Sequence, residues 1–270
     1  MRRVLAMAAL AVAAGSGGTV MAQTAPSEIS VYAAGSLRGA FVEAAKAWEA
    51  AHPDTRVRFT FGASGLLKDR LTQGERADVF ASANMEHPQA LQQQGMAQPV
   101  QRFATNALCA LVRPELKVTP DTLVRRLLDD GVKVGTSTPG ADPSGDYAWE
   151  MFRRIEQSGV AGAFDRLSTK ALQLTGGPQS PPPPAGRNVY GMLVAQKTAD
   201  LFITYCTNSV VALREEPTLA SVRVPEPLNV SASYGIVVMK GAPALAGEFV
   251  AYLLSADGQA GLARHGFSPR

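Results

Sequence analysis

The chain has 270 residues, with 26 Lys and Arg against 23 Asp and Glu, 3 His and 2 Cys, giving a formal net charge of +3. Setting aside the first 22 residues, which carry Arg2, Arg3 and no acid, leaves 24 basic against 23 acidic side chains. That balance gives no reason to propose nucleic acid or an anionic membrane as partner.

The start of the chain reads as a leader. MRR is a positive region, VLAMAALAVAA an apolar one, and Val20-Met21-Ala22 has the small-x-small form that signal peptidase accepts. The apolar run is too short for a bilayer span, so residues 1–22 are expected to be a secretory signal peptide and the destination the periplasm. No later stretch is apolar enough to span a membrane, so the mature chain is expected to be soluble.

The first mature segment, EISVYAA, reads as a strand and ends at Gly35-Ser36. A helical pattern follows, with Leu37, Phe41, Ala44 and Trp48 on one face and Ser36 at the N-cap position. The unit then repeats: VRFTFGA, the Ser64-Gly65 turn and LLKDRLTQG, then ADVFASA and MEHPQALQQQG. NALCALVRP reads as a strand, PDTLVRRLLDDG as a helix, KVGTST as a strand and DPSGDYAWEMFRRIEQSG as a turn and helix. KALQLTG and DLFITY read as strands around the helix NVYGMLVAQK, SYGIVVMKG as a strand, and ALAGEFVAYLLSADGQAGLARHG as one closing helix.

Strand, Ser/Gly turn and helix in succession predict an α/β protein of two doubly wound lobes joined by crossing hinge strands. Lobe 1 is expected over residues 28–105 plus 233–270 and lobe 2 over 106–232. The hinge is expected near Cys109 and Ser233. In such sheets ligands sit beyond the carboxyl ends of the strands.

Hydrolytic and metal chemistry find little support. GASGL at 62–66 has Leu66 where a nucleophile elbow needs glycine, and Lys68 stands four residues after Ser64 rather than three. His52, His87 and His265 occupy helix-end or pre-proline positions, so no serine has a credible base. A secreted serine hydrolase using Ser64 or Ser36 is the remote alternative to a binding protein; no cofactor is expected. Cys109 and Cys206 would lie in an oxidising space, where a disulfide and two buried thiols both remain open.

Ser36, Ser64 and Ser144 each stand at the start of a predicted helix. Each alone reads as an N-cap. Together, on turns that converge on one cleft, they and the free N–H groups of the helix starts would hold an anion with neutral donors.

The segments YAAGSL at 32–37, FGASGLL at 61–67, GERADVFASA at 74–83, DPSGDYAWE at 142–150, RNVYGMLV at 187–194 and ITYCTNS at 203–209 resemble the periplasmic molybdate/tungstate-binding proteins of ABC importers. The resemblance runs through nearly the whole mature chain. It implies the type II periplasmic-binding-protein fold, a small oxyanion (molybdate or tungstate) as transported ligand, and an inner-membrane ABC permease as partner for a monomeric chain. It also implies a ligand set of Ser36, Ser64, the backbone N–H groups of Ser144 and Val189, and the Tyr205 hydroxyl. From the residues alone Tyr205 reads equally as a core tyrosine. GGPQSPPPPAGR at 176–187 departs from the family pattern. If it leans over the cleft, Arg187 and Asn188 are additional candidates, for a larger anion such as a carboxylate or phosphorylated solute.

Overall fold

A computed structural model describes residues 27–182 and 186–269. The expected signal peptide lies outside the described residues. So do Pro183, Pro184 and Ala185 of the proline-rich segment.

Two sheets organise the chain. The first contains β1 (Ser27–Ala34), β2 (Thr55–Gly62), β3 (Val79–Ser82), β4 (Gln101–Asn106), β10 (Ala232–Val238) and β11 (Ser268–Pro269), in the order β11-β4-β10-β3-β1-β2. The second contains β5 (Leu108–Val112), β6 (Val134–Ser137), β7 (Leu172–Thr175), β8 (Leu201–Tyr205) and β9 (Ala220–Arg223), in the order β7-β6-β8-β5-β9. β1, β2 and β3 run parallel, as do β6, β7 and β8, and both sets are joined through helices. This is the doubly wound α/β arrangement in each half.

Burial follows from that layering. Helices cover the sheets, so the parallel strands β3, β6 and β8 and the antiparallel strand β5 are buried at every position. Helix α1 (Arg38–Ala51) lays Phe41, Ala44, Ala45 and Trp48 against the first sheet. Helix α5 (Pro143–Gln157) buries Met151, Phe152 and Ile155 against the second.

The predicted order of strands and α-helices stands, with five additions and one division. Strands β4, β9 and β11 and helices α6 (Ala163–Lys170) and α8 (Cys206–Glu215) were not expected. The closing segment forms two helices, α9 (Ala244–Leu254) and α10 (Ala256–Arg264). Ser255 separates them: its backbone is extended at ψ 169°, and its Oγ accepts from the Gly258 N–H at 3.3 Å as the cap of α10. Both helices return to the first sheet and pack on α1.

The chain crosses between the sheets at Asn106–Leu108 and again over residues 224–232. Asn229 ties the crossings together. Its Oδ1 accepts from Leu108 N–H at 2.9 Å, and its Nδ2 donates to the carbonyls of Leu108 at 3.1 Å and Val224 at 3.0 Å. Cys109 and Cys206 form a disulfide, closing the alternative left open by the sequence. The antiparallel pairing of β5 with β8 sets Cys109 opposite Thr204 and Leu108 opposite Tyr205, which brings the two cysteines within reach.

Candidate functional site

The carboxyl ends of the parallel strands in the two sheets face each other. From the first sheet come the turn after β1 with Ser36, the turn after β2 with Ser64, and Ala83 after β3. From the second come Asp142 and Ser144 after β6 and Tyr205 at the end of β8. Two hydrogen bonds join the facing turns of the halves. The Gly65 N–H donates to the Ala141 carbonyl at 3.0 Å, and the Tyr147 hydroxyl donates to the Ala83 carbonyl at 3.2 Å. The halves are therefore closed on each other.

None of the three serines is the helix cap that its position suggests. Ser36 lies inside a 3-10 turn, Gly35–Leu37, and its Oγ lies 2.9 Å from the Tyr234 hydroxyl. Ser64 is the first residue of α2 (Ser64–Thr72), and its Oγ accepts from the Ala83 N–H at 3.1 Å. Helix α5 is capped by Asp142, whose Oδ1 accepts from the Ser144 N–H at 3.1 Å. The Ser144 N–H, which the resemblance implies as a ligand donor, is engaged here by the Asp142 carboxyl. Its hydroxyl, by contrast, is buried and has no hydrogen-bond partner among the described residues.

Tyr205 is in the same state. It is 2 % exposed, and its hydroxyl has no partner among the described residues. Burial, more than the neighbouring tyrosines and Asp142, pushes that hydroxyl well above its ordinary pKa, so it is a proton donor at any physiological pH. Its ring meets those of Tyr234 at 5.8 Å and Tyr147 at 6.3 Å, centroid to centroid. Buried hydroxyls without partners are costly; those of Thr136 and Ser209 are in the same state, and Ser144 and Tyr205 stand beyond and at the carboxyl ends of β6 and β8.

Val189 opens helix α7 (Val189–Ala195). Asn188 is its cap: Oδ1 accepts from the Gly191 N–H at 2.9 Å, and Nδ2 donates to the Asn208 carbonyl at 3.3 Å. The Arg187 guanidinium is directed to α8 instead of a ligand, bonding Glu216 at 2.6 Å and Glu215 at 3.3 Å. The described part of the proline-rich segment borders a groove of about 350 Å³ with Thr138, Gln173 and Leu174.

Asp142 is the titratable group of the site. Burial pushes its carboxyl up to about 6, against the lowering effect of hydrogen bonds from Ser144 and Ser137. A Cβ on Gly176 would clash with Asp142 Oδ2, so the entry to the proline-rich segment packs directly against this carboxyl.

Three residues at the cleft were missed by the sequence reading: Tyr147, Asp142 and Tyr234. Tyr147 carried only a helix-face signal, and Asp142 stood in DPSGDYAW as a plain turn residue. Tyr234 is 198 residues from Ser36, and no local pattern connects the two.

No histidine nitrogen bonds Ser36 or Ser64 among the described residues. His265 pairs with Glu43, and His52 stacks on Trp48 and bonds its carbonyl. No group of three or more His, Cys, Asp or Glu suited to a metal occurs among the described residues. None of Ser36, Ser64, Ser144, Val189 and Tyr205 carries a charge.

Comparison with known proteins places these features. The molybdate-binding protein ModA of Mycobacterium tuberculosis (strain ATCC 25618 / H37Rv) is 30 % identical over 264 residues, 95 % of this chain and 92 % of that protein. The periplasmic molybdate-binding protein of Azotobacter vinelandii superposes with a TM-score of 0.72 at 18 % identity, covering 90 % of this chain and 99 % of that one. The sulfate-binding protein SubI of Mycobacterium tuberculosis H37Rv superposes at 0.74 with 18 % identity, over 90 % of this chain and 87 % of that one. The family model described as bacterial extracellular solute-binding protein matches residues 29–268. With two α/β halves closing on strand ends, the chain belongs to the bacterial extracellular solute-binding proteins and has the type II periplasmic-binding fold.

Proposed function

We propose that the protein captures a tetrahedral oxyanion, molybdate or tungstate, in the periplasm and delivers it to an ABC permease. The carrying observation is the pair of buried, unpartnered hydroxyls of Ser144 and Tyr205 at one end of the second sheet. Ser36 and Ser64 stand on the facing turns of the first. An ion whose oxygens only accept hydrogen bonds satisfies such donors at once. The ligand is held by neutral groups, and closure excludes water from it. The identity to ModA favours molybdate.

We read the chain as a carrier and not a catalyst, because neither cleft serine has a base beside it. A larger anion held by Arg187 is not favoured, since that side chain is paired with Glu215 and Glu216. Sulfate is the second reading. It presents the same acceptors, and SubI has the same fold, so cavity size must discriminate. Titration calorimetry with molybdate, tungstate, sulfate and phosphate tests this. Heat with molybdate or tungstate and none with sulfate is expected. No heat with either metal oxyanion would discard the proposal.

A further inference from the structure

Ser36 is held in a chain of hydrogen bonds that fixes where its proton points. The chain begins at Asn106, on the first crossing between the sheets. The Ala107 N–H donates to Asn106 Oδ1 at 2.9 Å, so the amide cannot be turned round without setting two donors face to face. Asn106 Nδ2 then spends its two protons on Thr207 Oγ1 at 2.8 Å and on the Tyr234 hydroxyl at 3.4 Å. Tyr234 is completely buried, so its own proton has no water to go to. Its hydroxyl has one remaining contact among the described residues, Ser36 Oγ at 2.9 Å. Tyr234 therefore donates to Ser36. With one of its lone pairs so occupied and its proton not needed by Tyr234, Ser36 is left with that proton to give.

We propose that Tyr234 is a positioning residue that sets the hydrogen-bond direction of Ser36, keeping its proton free to be donated toward the cleft. This rests on the oxyanion reading above and goes beyond it, because it assigns a role to a residue that would not touch the ligand. The relay starts at the hinge and includes Thr207 of α8, so the two halves and the ligand serine share one network.

A thermodynamic cycle on the full mature chain tests the relay, with molybdate affinity read by calorimetry for wild type, Tyr234→Phe, Ser36→Ala and the double variant. Tyr234→Phe keeps the ring and removes only the relay. About a tenfold loss is expected in the Ser36 background, the scale of one hydrogen bond. Less than twofold is expected in the Ser36→Ala background, because Tyr234 acts through Ser36. A merely structural tyrosine would produce equal losses in both backgrounds, and that result overturns the relay. So does unchanged affinity of Tyr234→Phe when Ser36→Ala binds weakly. A wild-type protein that binds no metal oxyanion, or a Ser36→Ala variant that binds as wild type does, overturns the oxyanion site itself and the relay with it. Should Tyr234→Phe not fold, Asn106→Asp takes its place. It offers Tyr234 an acceptor instead of a donor, and its added charge acts in both backgrounds and cancels in the cycle.

Discussion

The backbone N–H of Gly65 donates to the carbonyl of Ala141 at 3.0 Å, joining the turn after β2 to the turn after β6 across the cleft. A Cβ on Gly65 would lie 2.5 Å from that oxygen. Both partners are main chain, so neither can swing aside. Gly65→Ala should therefore hold the halves apart and weaken oxyanion binding at least tenfold, about 1.4 kcal/mol. The ligand-free protein should melt no lower than wild type, since alanine suits a helix better than glycine. Calorimetry alongside thermal unfolding checks both signs, and unchanged affinity would remove this contact from closure.

Tyr205→Phe separates binding from folding. The hydroxyl has no partner in the closed protein, so removing it deletes a desolvation cost and should leave ligand-free stability equal or higher. Molybdate affinity should fall by about 1–3 kcal/mol, the usual scale for a lost buried hydrogen bond. A variant that loses stability and keeps its affinity would make Tyr205 a core residue only.

Asp142 makes stability depend on pH. Its folded pKa is raised from 3.8 to about 6, so the native state holds this proton more tightly than the unfolded chain does. The contribution is complete below the unfolded value and is lost as pH rises toward 6. Its size is on the order of 1–3 kcal/mol. Asp142→Asn keeps an oxygen for the Ser144 N–H and cannot ionise. The stability of wild type relative to this variant should therefore fall between pH 4 and pH 6 and stay flat above. Chemical denaturation across that range measures it, and a difference that does not vary with pH would show an ordinary carboxyl.

The Cys109–Cys206 disulfide closes a loop with a sequence separation of 97 residues. Replacing both cysteines by serine should cost about 2–5 kcal/mol of stability. Equal denaturation midpoints for the two proteins would show that the pairing of β5 with β8 suffices without it.

Much of this fold was legible because its signals are local. The face Leu37, Phe41, Ala44, Trp48 identifies α1, and all four are buried. The runs that became β1, β2 and β3 are bounded by glycine and serine. Helix α8 was illegible because it begins directly at Cys206, with Tyr205 both closing β8 and standing as the helix N-cap, and no turn residue marks the change. Strand β9 has four residues, half of them exposed, too few to show a period. At the site, the serines were found as turn residues, but their expected cap roles were wrong. Asp142 supplies the cap of α5, and Ala34, Leu37 and Ala63 occupy the positions before the other starts. The disulfide and the Tyr234 contact depend on pairings about a hundred or more residues apart, which single-sequence patterns do not carry.

The two hydrogen bonds that join the facing turns across the cleft end on the carbonyls of Ala141 and Ala83. What the facing surfaces recognise in each other is largely peptide, which nearly any residue supplies. Side chains that point at the ligand are thereby released from the task of closing the cleft. The molybdate- and sulfate-binding proteins that superpose on this chain share its fold and differ in the anion their names carry.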